Sequence, residues 1–192
     1  MVKPVENAKQ IIVKTRQDLR NWLQQKHLQT EGIWLVTYKK NHQYYLPYND
    51  IVEECLCFGW VDSLPRKLDE KRTMLYLAPR RQGSNWSKAN KERVDRLIKN
   101  GLMQPAGLTK VDRAKKDGSW SFLDDVEALI LPEDLKIALS TDRAANMNFN
   151  AFPPSTKRGI LEWIKNAKKP ETRAKRILET VEKAAQNIRA NY

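Results

Sequence analysis

RTMLYLAP at Arg72–Pro79, followed directly by RRQGSNWSKANKERVDRLIKNG at Arg80–Gly101, is where the periodicity of this chain changes. Up to Pro79, short runs rich in β-branched and aromatic residues read as strands. Beyond it, apolar residues fall at helical spacing. Ser87 is placed to cap a helix running to Lys99 or Asn100, with Val94, Leu97 and Ile98 turned inward and Gly101 closing it. A chain that changes once from strands to helices belongs to the α+β class: an N-terminal mixed α/β part with a small sheet, followed by an all-helical C-terminal part.

Upstream of the change, Thr15 caps a first helix, with Asp18 in its first turn and Leu19, Trp22 and Leu23 inside. IWLVTYKK, Ile33–Lys40, reads as a strand whose apolar residues do not alternate, so both of its faces are covered. YYLPY then suggests a short extended piece. NDIVEECLCFG is a helix capped by Asn49 and stopped by Gly59, with Ile51, Val52, Cys55, Leu56 and Phe58 inside and Cys57 outward beside Glu53. WVDS opens a strand that turns near Asp69-Glu70 into Arg72–Pro79.

Downstream, Pro105 and Gly118 bracket a helix with Leu108, Val111 and Ala114 inward. LPEDLKIALS places Pro132 at a first helical position, PPSTKRGILEWIKNAKK offers Ser155 as a cap, and a last helix begins near Pro170. Its apolar positions are Ala174, Ile177, Leu178, Val181, Ala185 and Ile188. DDVEALILPED joins two helical stretches. It predicts a division into residues 1–128, a mixed α+β domain with two trailing helices, and residues 129–192, a small helical domain. No internal repeat or low-complexity segment occurs.

The formal net charge of this 192-residue chain is +12. Residues 1–128 carry +7 of it and residues 129–192 carry +5, so no tail concentrates it. Such an excess attracts acidic protein faces, phosphate-bearing ligands and nucleic acid. The N-terminal MVKPVENAKQIIVK lacks the apolar core of a signal peptide. No apolar run approaches the roughly 20 residues of a membrane span. Cys55 and Cys57, two apart on a helix, point to different sides and do not bond each other. A cytoplasmic protein without an integral membrane segment is expected.

Several chemistries are set aside. No G-x-S-x-G, H-E-x-x-H, phosphate-binding loop or G-x-G-x-x-G occurs. His27, His42, Cys55 and Cys57 lack metal-ligand spacing, so neither a metal nor a cofactor is expected. The acidic pairs Glu53-Glu54, Asp69-Glu70 and Asp124-Asp125 read as solvated surface, and no residue is assigned a catalytic role.

The opening stretch also carries the candidate site. Ser87 and the N–H groups that follow it form a helix start, where anions settle. Arg80 and Arg81 arrive from the strand and can grip an oxyanion with paired donors. Asn85 adds a neutral donor, Trp86 a stacking face and Lys88 further charge. Trp60 and Asp62 support the site, with Asp62 orienting the arginines. The structural reading of the same residues has Ser87 only capping and Trp86 and Trp60 in the core. In that reading the arginines pair with Asp62, Asp69, Glu70 or Asp95.

LCFGWVDS, APRRQGSNWSKANKERVDRLIKNGLMQPAGL and AKKDGSW resemble the bacterial YdeI/OmpD-associated, or bacteriocin-protection, family. LPEDLKIAL and FPPSTKRGILEWIKNAKKPETRAKRI resemble the small helical domain of that family, so the likeness spans nearly the whole chain. Ser63 stands where the family often has glycine after the aspartate. The resemblance implies a non-enzymatic bacterial stress-tolerance protein, linked to resistance to cationic antimicrobial peptides or bacteriocins. It also implies an outer-membrane porin association for some members. Combined with the basic site, it gives a protein that binds an anionic partner. The alternatives are a nucleic-acid-binding module and an enzyme on a small anionic substrate with Asp62 as base.

Overall fold

The computed structural model describes residues 5–191. Contacts divide the chain into two compact units, Met1–Ser121 and Phe122–Tyr192, each built around its own apolar core.

The first unit holds a four-stranded sheet of β1 (Gln10–Ile12), β2 (Ile33–Tyr38), β3 (Trp60–Lys67) and β4 (Arg72–Pro79), in the order β1-β2-β4-β3. β3 and β4 form a hairpin, irregular between Asp62 and Pro65. β4 runs antiparallel to β2, with Leu35 opposite Leu75 and Ile33 opposite Leu77. β1 pairs parallel to β2, with Ile11 opposite Leu35. The doubly covered strand expected at Ile33 is present: Ile33 to Thr37 are all buried. β1 has no counterpart in the sequence reading, because three residues carry no periodicity.

Among the described residues, four helices complete this unit: α1 (Arg16–Lys26), α2 (Tyr48–Cys57), α3 (Lys88–Lys99) and α4 (Pro105–Asp117). The start of α1 is a capping box. The Thr15 hydroxyl accepts from Asp18 N–H at 3.1 Å, and the Asp18 carboxylate accepts from Thr15 N–H at 3.0 Å. Asn49 does not cap α2, which starts one residue earlier behind Pro47. Its side-chain oxygen accepts from Arg93 instead. Cys57 points inward, fully buried like Cys55, and both are free thiols. Glu54 is also inside, 1% exposed, accepting from Arg16 Nε at 2.7 Å and Arg20 Nη1 at 2.8 Å. Two guanidiniums thus hold a carboxylate that the sequence had placed in water. Ile98 and Leu108, expected inward, are 44% and 37% exposed. On α4 the contact falls on Gly107, where an added Cβ would lie 2.4 Å from the Cys57 carbonyl oxygen. Only glycine lets the two helix backbones approach this closely.

The second unit is helical throughout its regular elements: α5 (Asp124–Glu127), α6 (Glu133–Ser140), α7 (Arg143–Ala151), α8 (Pro154–Lys165) and α9 (Pro170–Ala185). Leu135, Leu139, Phe149, Ile160 and Ile164 form its centre. α7, unread in the sequence, is capped by Asp142, whose carboxylate accepts from Ala145 N–H at 2.9 Å. Pro132 and Pro153 precede their helices as N-cap residues, and Ser155 lies inside α8 rather than capping it. Leu178, on the apolar stripe expected for α9, is 58% exposed. Ile188 lies beyond that helix. A small sheet with helices followed by a helical region is the α+β arrangement expected. Among the described residues, no helix is long and apolar enough to cross a membrane.

Candidate functional site

The site grows from the point where α2 hands the chain to β3. Gly59 has φ +74°, and a Cβ there would lie 2.7 Å from Cγ of Lys110. Trp60 follows, fully buried, its indole N–H donating to the His27 carbonyl at 3.1 Å. Beyond the end of β4, Arg80 N–H donates to the Gly59 carbonyl at 2.9 Å, and Lys110 Nζ of α4 donates to the Arg80 carbonyl at 2.9 Å. The end of the sheet and the side of α4 are thereby fastened together.

The Arg80 side chain is 4% exposed. Its guanidinium lies 3.8 Å from the centroid of the Trp86 ring, and Nη1 donates to the Asn85 carbonyl at 3.1 Å and to Ser84 Oγ at 3.4 Å. Nε is buried and has no hydrogen-bond partner among the described residues. Among the described residues, no carboxylate forms an ion pair with Arg80 or with the exposed Arg81. Loss of water pushes Arg80 down to about 10, with the charge of Asp62 pulling it partly back. Lys110 is also held below the usual lysine range, by burial first and then by the charges of Arg113 and Arg80.

These groups open onto a cleft of about 1190 Å³. Arg80, Arg81, Lys110 and Arg113 line it from the end of β4 and from α4; Lys9 and Lys26 line it from the segment before β1 and the last turn of α1. Trp22, Phe58 and Tyr76 add aromatic surface. Glu31 is its one lining carboxylate among the described residues. A much smaller hollow beside it is lined by the same two arginines, Lys110, Arg113 and Asp117. The arrangement concentrates positive charge around a space large enough for an organic ligand.

The residues singled out in the sequence are divided by the fold. Arg80 and Arg81 line the cleft; Asn85, Ser87 and Lys88 do not. Ser87 caps α3, its hydroxyl accepting from Asn90 N–H at 3.3 Å. Trp86 is 2% exposed, with Arg80 on its face and Trp120 at 5.0 Å, so it packs the core and offers no platform to a ligand. Asp62 accepts from the Tyr48 hydroxyl at 2.7 Å rather than from a guanidinium, and reaches Arg80 only through its field. Burial, then that hydrogen bond, push Tyr48 up to about 12. Asp69 and Glu70 pair with Arg72 and Lys67, not with the arginines of the site.

Lys110, Arg113, Trp22 and Lys26 were missed. Lys110 and Arg113 are three apart on the polar side of a helix whose inner residues Val111 and Ala114 were legible, so the spacing was readable. That this side meets the end of the sheet was not.

Residues 11–110 match the family model described as Domain of unknown function (DUF8412). That span includes Trp22, Lys26, Arg80, Arg81 and Lys110. Residues 128–187 match the model described as Bacteriocin-protection, YdeI or OmpD-Associated, which points to a bacteriocin-protection function at the family level. No curated protein and no solved structure matches the chain.

Proposed function

The chain belongs to the family described as Domain of unknown function (DUF8412), and on that premise we propose that its first unit captures an anionic ligand in the cationic cleft. That binding serves the bacteriocin-protection role to which the second unit's family match points. One observation carries the reading: among the described residues, six cationic side chains line a cleft with a single carboxylate, and one of them, Arg80, is buried without an ion pair. A buried charge left unpaired is costly. An oxyanion held by Arg81, Arg113 and Lys110 supplies the missing charge and relieves the repulsion among the cations.

Binding rather than catalysis is the reading because the charged groups of the cleft are almost all cations. The thiols Cys55 and Cys57, both raised by burial, stay in their unreactive form. Protection is indirect in this scheme, since a chain of net charge +12 repels cationic peptides.

Pyrophosphate titrated into the full chain at increasing sodium chloride tests it. Affinity is expected to fall steadily with salt, and to fall at least tenfold in the Arg81→Ala/Arg113→Ala double variant. Affinity indifferent to both overturns the proposal.

A further inference from the structure

Resting on that reading of the cleft, we propose that its ligand is a phosphate monoester carried on a planar ring. The phosphate meets Arg81, Arg113 and Lys110, and the ring lies against Trp22.

Size is the first argument. A cleft of about 1190 Å³ exceeds what a free oxyanion fills, since whole organic ligands occupy sites of roughly 300–1,000 Å³. The ligand therefore has a body beyond its charged group. Charge is the second. Arg80, Arg81, Lys110 and Arg113 crowd one region, and Lys110 spends one of its three donors on the Arg80 carbonyl. Asp117 stands beside them, and four cations against that carboxylate still suit a dianion with three acceptor oxygens better than a carboxylate.

The aromatic surface is the third. Trp22 is half-buried against the helix-covered core and is steadied by the buried indole of Trp60. Trp22 meets Trp60 at 5.5 Å and 87°, whereas Tyr76 stands with Trp34 on the other face of the sheet. A ring held as Trp22 is held loses little freedom when a ligand stacks on it.

Calorimetric titration of the full chain with inorganic phosphate, adenosine, AMP and a ten-residue oligodeoxyadenylate, all at one ionic strength, decides the matter. AMP is expected to bind at least tenfold more tightly than phosphate. Trp22→Leu removes most of that advantage and leaves the phosphate affinity within about twofold, whereas Trp22→Phe keeps at least half of it. Because Trp22 also touches Trp60, quenching of tryptophan fluorescence by AMP but not by phosphate, diminished in Trp22→Phe, decides if Trp22→Leu does not fold. AMP binding no tighter than phosphate, with phosphate still dependent on Arg81 and Arg113, sinks the ring and spares the anion site. Absence of binding by every probe sinks both. An oligonucleotide binding far more tightly than AMP replaces the small ligand by a polynucleotide and overturns the inference.

Discussion

A guanidinium removed from water must recover partners for its donors, and Arg80 recovers only some of them. Nη1 reaches Asn85 and Ser84, the plane lies on Trp86, and Nε has no hydrogen-bond partner among the described residues. The stacking and the two hydrogen bonds still fix the loop between β4 and α3. Arg80→Ala is therefore expected to destabilise the protein by about 2 kcal/mol. Arg81, exposed and without an ion pair among the described residues, is expected to shift stability by less than about 0.5 kcal/mol when changed to Ala. It is the one whose loss weakens pyrophosphate binding at unchanged stability. Urea midpoints and titrations on the two variants check this, and equal effects of both on stability would contradict it. The arginine pair was legible in the sequence as an anion candidate. The division of labour was not, because neighbouring side chains leaving a strand diverge and only the tertiary fold decides which one is covered. The same limit hid Glu54: nothing local to EE at 53–54 tells which carboxylate Arg16 and Arg20 enclose.

The placement of α4 governs where Lys110 and Arg113 stand, and Gly107 governs the placement of α4. A Cβ at Gly107 would lie 2.4 and 2.6 Å from the carbonyl oxygens of Cys57 and Leu56, which are backbone and cannot swing aside. Gly107→Ala is expected to cost about 1–3 kcal/mol through overpacking. It is also expected to weaken pyrophosphate binding although every cation of the cleft is retained, since α4 must move outward. Unfolding and titration of this one variant measure both; undiminished affinity in a destabilised variant would show that the cleft tolerates displacement of the helix. Elements with strong local signals were readable: the Thr15–Asp18 capping box, the hairpin around Asp69, and α4 between Pro105 and Gly118. Elements defined by partners were not. β1 exists because β2 offers it an edge, and α2, α6 and α8 begin behind prolines rather than at the polar side chains that usually mark a start.

At the scale of the whole chain, +7 on residues 1–128 and +5 on the rest look evenly spread, yet folding gathers six cations from residues 9 to 113 around one cleft. Composition predicts an attraction to anions, and the fold supplies the cleft where we propose that it acts. The carboxylates carry a further consequence for pH. Hydrogen bonds from Arg173 hold Asp134 low, those from Arg72 hold Asp69 low, and those from Ser119 hold Asp117 low. Burial works against Glu53, but Arg96 and Arg16 bring it below its ordinary value. A carboxylate lower in the folded than in the unfolded chain contributes stability above its unfolded value, and that contribution disappears as pH falls through the folded value. Stability is accordingly expected to hold down to about pH 4 and then to fall, in both units, since Asp134 lies in the second and the other three in the first. Arg173→Met isolates one contribution. Without the guanidinium, Asp134 returns towards its ordinary value, so the variant is less stable than the parent at pH 7 and loses less on acidification. Urea midpoints followed from pH 7 to pH 2 should therefore converge for the two proteins. A gap that stays constant across that range would mean that Arg173 stabilises the fold by packing and does not shift Asp134.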